Sequence, residues 1–146
     1  MKEIFSRKTR SEEETRECGR DFVRKISVPS LVLVSGELGA GKTVFVKGMA
    51  LGLGILPDTV QSPTFSLIHE YPSSPPLYHM DFYRLNRWEE IVDLGLEEYL
   101  EREGIVAIEW GEKFFSFFSP PFFWVCIDFG NGTLREIRVM FLEKKQ

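Results

Sequence analysis

Eight consecutive residues, Gly36-Glu37-Leu38-Gly39-Ala40-Gly41-Lys42-Thr43, fit the pattern G-x-x-x-x-G-K-[ST] without a mismatch. Glycines at these places let the chain curl until successive backbone N–H groups point at one anion, and a helix starting near Lys42 adds the positive end of its dipole. In such a loop the backbone from Gly36 to Thr43 cradles a polyphosphate. The Lys42 ammonium suits the β- and γ-phosphates of a nucleotide, and the Thr43 hydroxyl suits one position in a Mg²⁺ shell. A plain glycine-rich turn is the competing explanation. The apolar run Leu31 to Val34 before the loop and the helical spacing after it supply the strand–loop–helix context the motif needs, and they favour phosphate. The loop does not choose a reaction, because kinases, GTPases and ATP-driven switches share it.

A Mg²⁺-dependent site also needs a carboxylate at the end of a buried strand, where it reaches metal and water without leaving the core. Two candidates compete. Ile105-Val106-Ala107-Ile108-Glu109 is an apolar run closed by an acid, and Leu77-Tyr78-His79-Met80-Asp81 is similar but more polar. A solvated strand end is the lesser, competing explanation for either acid. Thr64, in Gln61-Ser62-Pro63-Thr64-Phe65, lies between the loop and Asp81, where nucleotide switches place a threonine that reaches Mg²⁺ and the γ-phosphate. Ser-Pro-Thr is also an ordinary turn. His79 reads first as a structural strand histidine, and Trp110 stays open between a nucleotide lid, a partner contact and core packing.

These groups need elements to hold them. Ser11 with Glu14 matches a capping box at the head of an amphipathic helix, Ser11 to Ile26, that buries Cys18, Phe22 and Ile26 and ends before Pro29. Leu31 to Val34 has no polar alternation, as expected of a strand covered on both faces. Phe45, Met49 and Leu53 set a helix from Lys42 to Leu53 with Gly54 at its end. Strands at Thr64 to Ile68 and Leu77 to Met80 then flank a Pro- and Ser-rich loop. A helix over Glu89 to Glu103, capped by Gly104, leads to the strand Ile105 to Ile108. Strands at Phe123 to Phe129 and Glu136 to Leu142 surround an Asn131-Gly132 turn. This order predicts an α/β fold with a mostly parallel central sheet and an antiparallel extension.

The chain has 146 residues, 43% hydrophobic and 27% charged, which fits one domain over residues 1–146 and excludes a disordered or fibrous polymer. No apolar run approaches the roughly 18 residues of a membrane span. Met1 to Lys8 carries no apolar signal core, so the expected location is the cytoplasm, away from membranes. A net charge of -4 argues against nucleic-acid binding through a broadly basic surface. Cys18 and Cys126 form no C-x-x-C pair and read as reduced, structural residues.

In order and spacing, G-E-L-G-A-G-K-T at 36–43, S-P-T-F at 62–65, H-x-D-x-Y-R at 79–84 and E-W at 109–110 resemble the bacterial TsaE family, also called YjeE. These are the ATPases of threonylcarbamoyladenosine tRNA modification. The resemblance covers nearly the whole chain and implies a three-layer, P-loop NTPase-like α/β domain that binds ATP and Mg²⁺. It also implies action through a complex of TsaB and TsaD, in which TsaD performs the transfer to adenosine 37 of tRNAs reading codons that begin with A, while ATP hydrolysis resets the complex. Contact with tRNA through that complex is left open. Family roles fall on Lys42 for phosphate, on Thr43 and Glu109 for Mg²⁺, on Asp81 for Mg²⁺ or the attacking water, and on Thr64 for a switch-like segment. The resemblance further implies nucleotide contacts at or near Ser11 and Arg135, outside any sharp motif; Ser11 already has a sufficient role as a helix cap.

Phe114 to Trp124 packs seven aromatic residues into one stretch, which either seals a sheet edge or exposes a docking patch. A small-molecule kinase lacks its arginine-rich lid here, with only Arg84 and Arg87 nearby. A GTPase lacks N-K-x-D. Asp128-Phe129-Gly130 copies the D-F-G of protein kinases without the accompanying H-R-D. A nucleotide switch in which hydrolysis is incidental is not separable from an ATPase by sequence.

Overall fold

The computed structural model describes residues 1–56 and 67–144. Its elements run β1 (Lys2–Thr9), α1 (Glu12–Val23), β2 (Ser30–Gly36), α2 (Lys42–Gly52), β3 (Ile68–Tyr71), β4 (Leu77–Asp81), α3 (Trp88–Asp93), α4 (Leu96–Glu101), β5 (Ile105–Glu109), a 3₁₀ turn (Gly111–Phe117), β6 (Phe122–Phe129) and β7 (Arg135–Leu142). The strands form one seven-stranded sheet in the order β1-β7-β6-β2-β5-β4-β3. The central pairs β6–β2, β2–β5 and β5–β4 are parallel, and β1, β7 and β3 add to the edges antiparallel. The expected α/β architecture therefore holds, with antiparallel additions on both edges.

The apolar run of β2 has a simple cause. Val32 and Val34 face a core shared with Phe22, Phe45 and Met49 of α1 and α2, while Leu31 and Leu33 face a second core with Ile91, Leu96 and Phe122. A strand covered on both faces cannot alternate with polar residues without burying them unpaired. Helices on both sides of the sheet make the three layers. No helix among the described residues is long and apolar enough to cross a membrane.

Several local expectations shift. β1 was not legible, because Lys2–Thr9 is charged and mostly exposed; only Phe5 packs into the core, and the strand exists by pairing with β7. Helix α1 begins as predicted, with the Glu14 amide donating to Ser11 Oγ at 3.1 Å, but ends at Val23, leaving Ile26 to pack from the following loop. Of the strand expected at Thr64 to Ile68, residues 64–66 lie outside the described residues, and the described strand is Ile68–Tyr71. The helix expected over Glu89 to Glu103 is two six-residue helices, because Gly95 at φ 82° takes the left-handed backbone that interrupts the first. Gly104 caps neither. It is small because a Cβ there would lie 2.8 Å from the Pro76 carbonyl oxygen and 2.9 Å from the Tyr78 ring. In the aromatic stretch Phe114, Phe118 and Phe122 are buried, and Phe115, Phe123 and Trp124 are half-buried against the cores. Phe117 alone is largely exposed at 55%, so sealing the sheet accounts for most of the rings.

Candidate functional site

Parallel register sets the site. Val34 of β2 pairs with Glu109 of β5, and Glu109 pairs with Asp81 of β4, so the two candidate acids sit side by side at the strand ends from which the loop after β2 departs. In a parallel sheet that end is where loops converge on ligands. Both acids are buried.

The loop turns from β2 into α2 through Gly41, at φ 108°, a backbone conformation that a side chain would strain. Leu38 is exposed while Ala40 is buried beneath the loop. The Lys42 ammonium donates to the carbonyls of Gly36 at 2.5 Å and Glu37 at 3.2 Å, and lies 4.0 Å from the centre of the Trp110 ring. Burial pushes the Lys42 pKa down, and the negative charges of Glu109, Glu112 and Asp81 oppose that shift. An anion arriving at the loop would supply the partner charge that this buried ammonium shares only with distant carboxylates.

Thr43, one residue into α2, donates its hydroxyl to Glu109 at 3.0 Å and 3.1 Å. Glu109 Oε2, the nearer of the two oxygens to Thr43, also meets His79 Nε2 at 2.5 Å. His79 is fully buried, and among the described residues its Nδ1 has no hydrogen-bond partner. The histidine read as structural thus belongs to the site, through the carboxylate rather than through solvent. Asp81 Oδ1 accepts the Tyr83 amide at 2.8 Å. The Tyr83 ring packs 5.0 Å from Trp110, which takes a left-handed φ of 63° unusual for a large side chain. Of the readings left open for Trp110, core packing holds, since the half-buried ring packs against the second core, and it also contacts the loop lysine.

These groups face a cleft of about 650 Å³, whose far wall includes Ser11, Thr15, Thr133 and Arg135. The structure therefore brings Ser11 and Arg135 to the cleft. Ser11 also caps α1, so its two readings coexist. The Arg135 guanidinium lies 4.5 Å from the centre of the Phe129 ring and donates to the Leu134 carbonyl at 3.0 Å. Thr64 lies outside the described residues. Among those described, no three His, Cys, Asp or Glu side chains form a metal cage. A Thr hydroxyl with one or two carboxylates beside a phosphate loop instead fits Mg²⁺, which keeps waters and substrate oxygens as most of its ligands. Cys18 and Cys126 stand apart, with burial pushing each thiol up to about 11, which leaves them unreactive.

Glu112 and Lys113 were missed. Burial raises the Glu112 pKa against the pull of Lys42, and its Oε1 is buried with no partner among the described residues. The available signal was an acid three residues beyond Glu109, on the turn that leaves the same strand.

Known proteins resemble this chain over most of its length. The family model described as Threonylcarbamoyl adenosine biosynthesis protein TsaE matches residues 9–137, a span holding every candidate residue from Ser11 to Arg135. A tRNA threonylcarbamoyladenosine biosynthesis protein TsaE from Treponema pallidum is 45% identical over 105 residues, 72% of this chain and 77% of the relative. The protein of the same description from Bacillus subtilis is 43% identical over 111 residues, 75% of this chain and 68% of the relative. The crystal structure of Bacillus subtilis YdiB is similar at a TM-score of 0.77 and 32% identity, covering 92% of this chain and 83% of that one.

Proposed function

The chain belongs to the TsaE family of threonylcarbamoyladenosine biosynthesis proteins, and from that premise we propose that it is a Mg²⁺-dependent ATPase that docks on a TsaB–TsaD complex and resets it between rounds of modification of adenosine 37. The observation that carries the reading is the contact of Thr43 with Glu109 directly beneath the loop that holds Lys42. It joins a phosphate-binding element to a buried carboxylate in the arrangement Mg²⁺-nucleotide chemistry uses.

In this reading Lys42 exchanges the carbonyls of Gly36 and Glu37 for phosphate oxygens, and the loop amides hold the rest of the polyphosphate. Thr43 and Glu109 would hold Mg²⁺ directly or through water. When bound, Mg²⁺ would offset the charge that builds on the transferred phosphoryl group. Asp81, fixed by the Tyr83 amide, orients the attacking water. Arg135 is turned onto Phe129 and nearby carbonyls, so no arginine is poised over the transferred group in the described cleft, and turnover by the chain alone is expected to be slow.

The test is ATP hydrolysis with Mg²⁺, alone and with TsaB and TsaD, using Lys42→Ala as the blank. Stimulation by the partners that Lys42→Ala abolishes supports the reading. Tight binding of ATP with no stimulated turnover replaces it with a binding switch, and phosphoryl transfer to a small molecule replaces it with a kinase. Glu109→Gln is expected to weaken Mg²⁺-dependent binding, and Asp81→Asn to slow hydrolysis more than binding; equal losses in both variants contradict that division of roles.

A further inference from the structure

The turn that leaves Glu109 reaches back across the site. Lys113, exposed on the 3₁₀ turn, donates its ammonium to the backbone carbonyls of Phe82 at 3.5 Å, Tyr83, and Leu85 at 3.2 Å. These carbonyls belong to the turn directly after β4, which the Leu85 amide closes on the Phe82 carbonyl at 3.0 Å. Among the described residues Lys113 makes no ion pair, and its hydrogen bonds go to backbone carbonyls. A fixed cation facing several carbonyls neutralises their mutual repulsion and holds them at one separation, which a mobile surface lysine does not do.

What that turn positions is the candidate chemistry. The Tyr83 amide fixes Asp81 Oδ1 at 2.8 Å, and the Tyr83 ring packs on Trp110, which in turn lies over Lys42. Lys113 Nζ is itself 5.4 Å from the centre of the Tyr83 ring. Its acceptors are on the turn, which meets the site through the Tyr83 amide on Asp81 and through the Phe82 amide, which donates to the Glu109 carbonyl at 3.0 Å.

We infer that Lys113 is a positioning residue: its ammonium, clamped on the carbonyls of the turn after β4, holds the Tyr83 amide on Asp81 and the Tyr83 ring against Trp110. The inference rests on the ATPase reading, and it predicts a division of effects. The phosphate loop keeps its own geometry without Lys113, so nucleotide affinity is retained. The Asp81 carboxylate loses the firm hold of the Tyr83 amide on its Oδ1, and turnover falls because small displacements of a reacting group are costly.

The experiment measures ATP affinity, single-turnover hydrolysis and amide hydrogen exchange at Tyr83 in the full chain and in Lys113→Ala, Lys113→Met and Lys113→Arg. Expected are a turnover on the order of 10-fold lower in the Ala and Met variants, ATP affinity within about twofold, and faster Tyr83 exchange. Lys113→Arg, which keeps donors for the carbonyls, should retain most turnover. Because the side chain is exposed, n-propylammonium, the fragment lost in Lys113→Ala, should restore part of the rate in that variant and not in Lys113→Met, whose stem fills the space. Lys113→Ala with unchanged turnover, with equal losses of affinity and rate, or with no response to n-propylammonium overturns the inference while leaving the ATPase reading intact. A full chain that hydrolyses no ATP even with TsaB and TsaD added overturns that reading and the catalytic half of the inference together, and unchanged Tyr83 exchange overturns the positioning half.

Discussion

The two faces of the sheet are packed by different means. On one, α1 and α2 lie backbone to backbone: a Cβ at Gly19 would stand 2.1 Å from the Phe45 carbonyl oxygen, and one at Gly48 1.9 Å from that of Arg16. On the other, short helices leave gaps that rings fill, as where Trp88 meets Phe118 edge-on at 5.4 Å and Phe82 meets Phe114 at 6.3 Å. The candidate chemistry belongs to the first face. His79 and Asp81 share their side of β4 with Leu77, and Glu109 shares its side of β5 with Ile105 and Ala107, residues of the α1–α2 core. Backbone contact fixes where α2 starts, and so where the glycine-rich loop before it stands. Ring packing fills volume and tolerates irregular backbone.

The largest expected loss is on the aromatic face and leaves the site untouched. Phe122→Ala empties a fully packed position and should cost about 3–5 kcal/mol in denaturant unfolding, with ATP affinity unchanged in calorimetry under conditions where the variant stays folded. A loss of affinity there would break the comparison. Gly48→Ala adds one methyl on the other face and should cost about 1–3 kcal/mol by overpacking, despite the better helix propensity of alanine, and it should weaken ATP binding as well, because α1 must move off α2.

Gly95→Ala tests whether the break between α3 and α4 is fixed by backbone alone; a left-handed alanine should cost about 1–2 kcal/mol in the same unfolding assay, with no effect on nucleotide. Phe117→Ser removes a ring stacked on Trp88 at 5.0 Å but largely exposed, and a change of about 1 kcal/mol or less is expected. An unchanged affinity for TsaB and TsaD in this folded variant would remove the docking role for the aromatic stretch.

Glu112, at the junction of the faces, gives the smallest effect and a pH signature. Its folded pKa is raised above the 4.5 of an ordinary glutamate by burial, so the stability its protonated form contributes is fully present below about pH 4.5 and is lost as pH rises through the folded value. Glu112→Gln stays neutral throughout. Its thermal midpoint should exceed that of the parent at neutral pH and converge with it near pH 4, and a constant difference at both pH values would show that Glu112 is not held by burial.

The sequence by itself determined the glycine-rich loop, the doubly covered strand before it and the two strand-end acids. Each of these is set by local rules: glycine conformations, a run of apolar residues, an acid that ends such a run. The helix cap at Ser11 is local in the same way. Tertiary structure alone decided that Glu109 bonds Thr43 and His79 together, because residues 66 and 30 positions apart meet only through parallel register. It also made β1 a strand, since a charged segment gains its hydrogen bonds only from the β7 edge. Gly95 dividing a continuous helical pattern, and Lys113 reaching the carbonyls after β4, follow the same rule. Composition and spacing carry what a residue needs of its neighbours in sequence, while the partner of a side chain across the sheet depends on which strands lie adjacent, and only the packed fold sets that order.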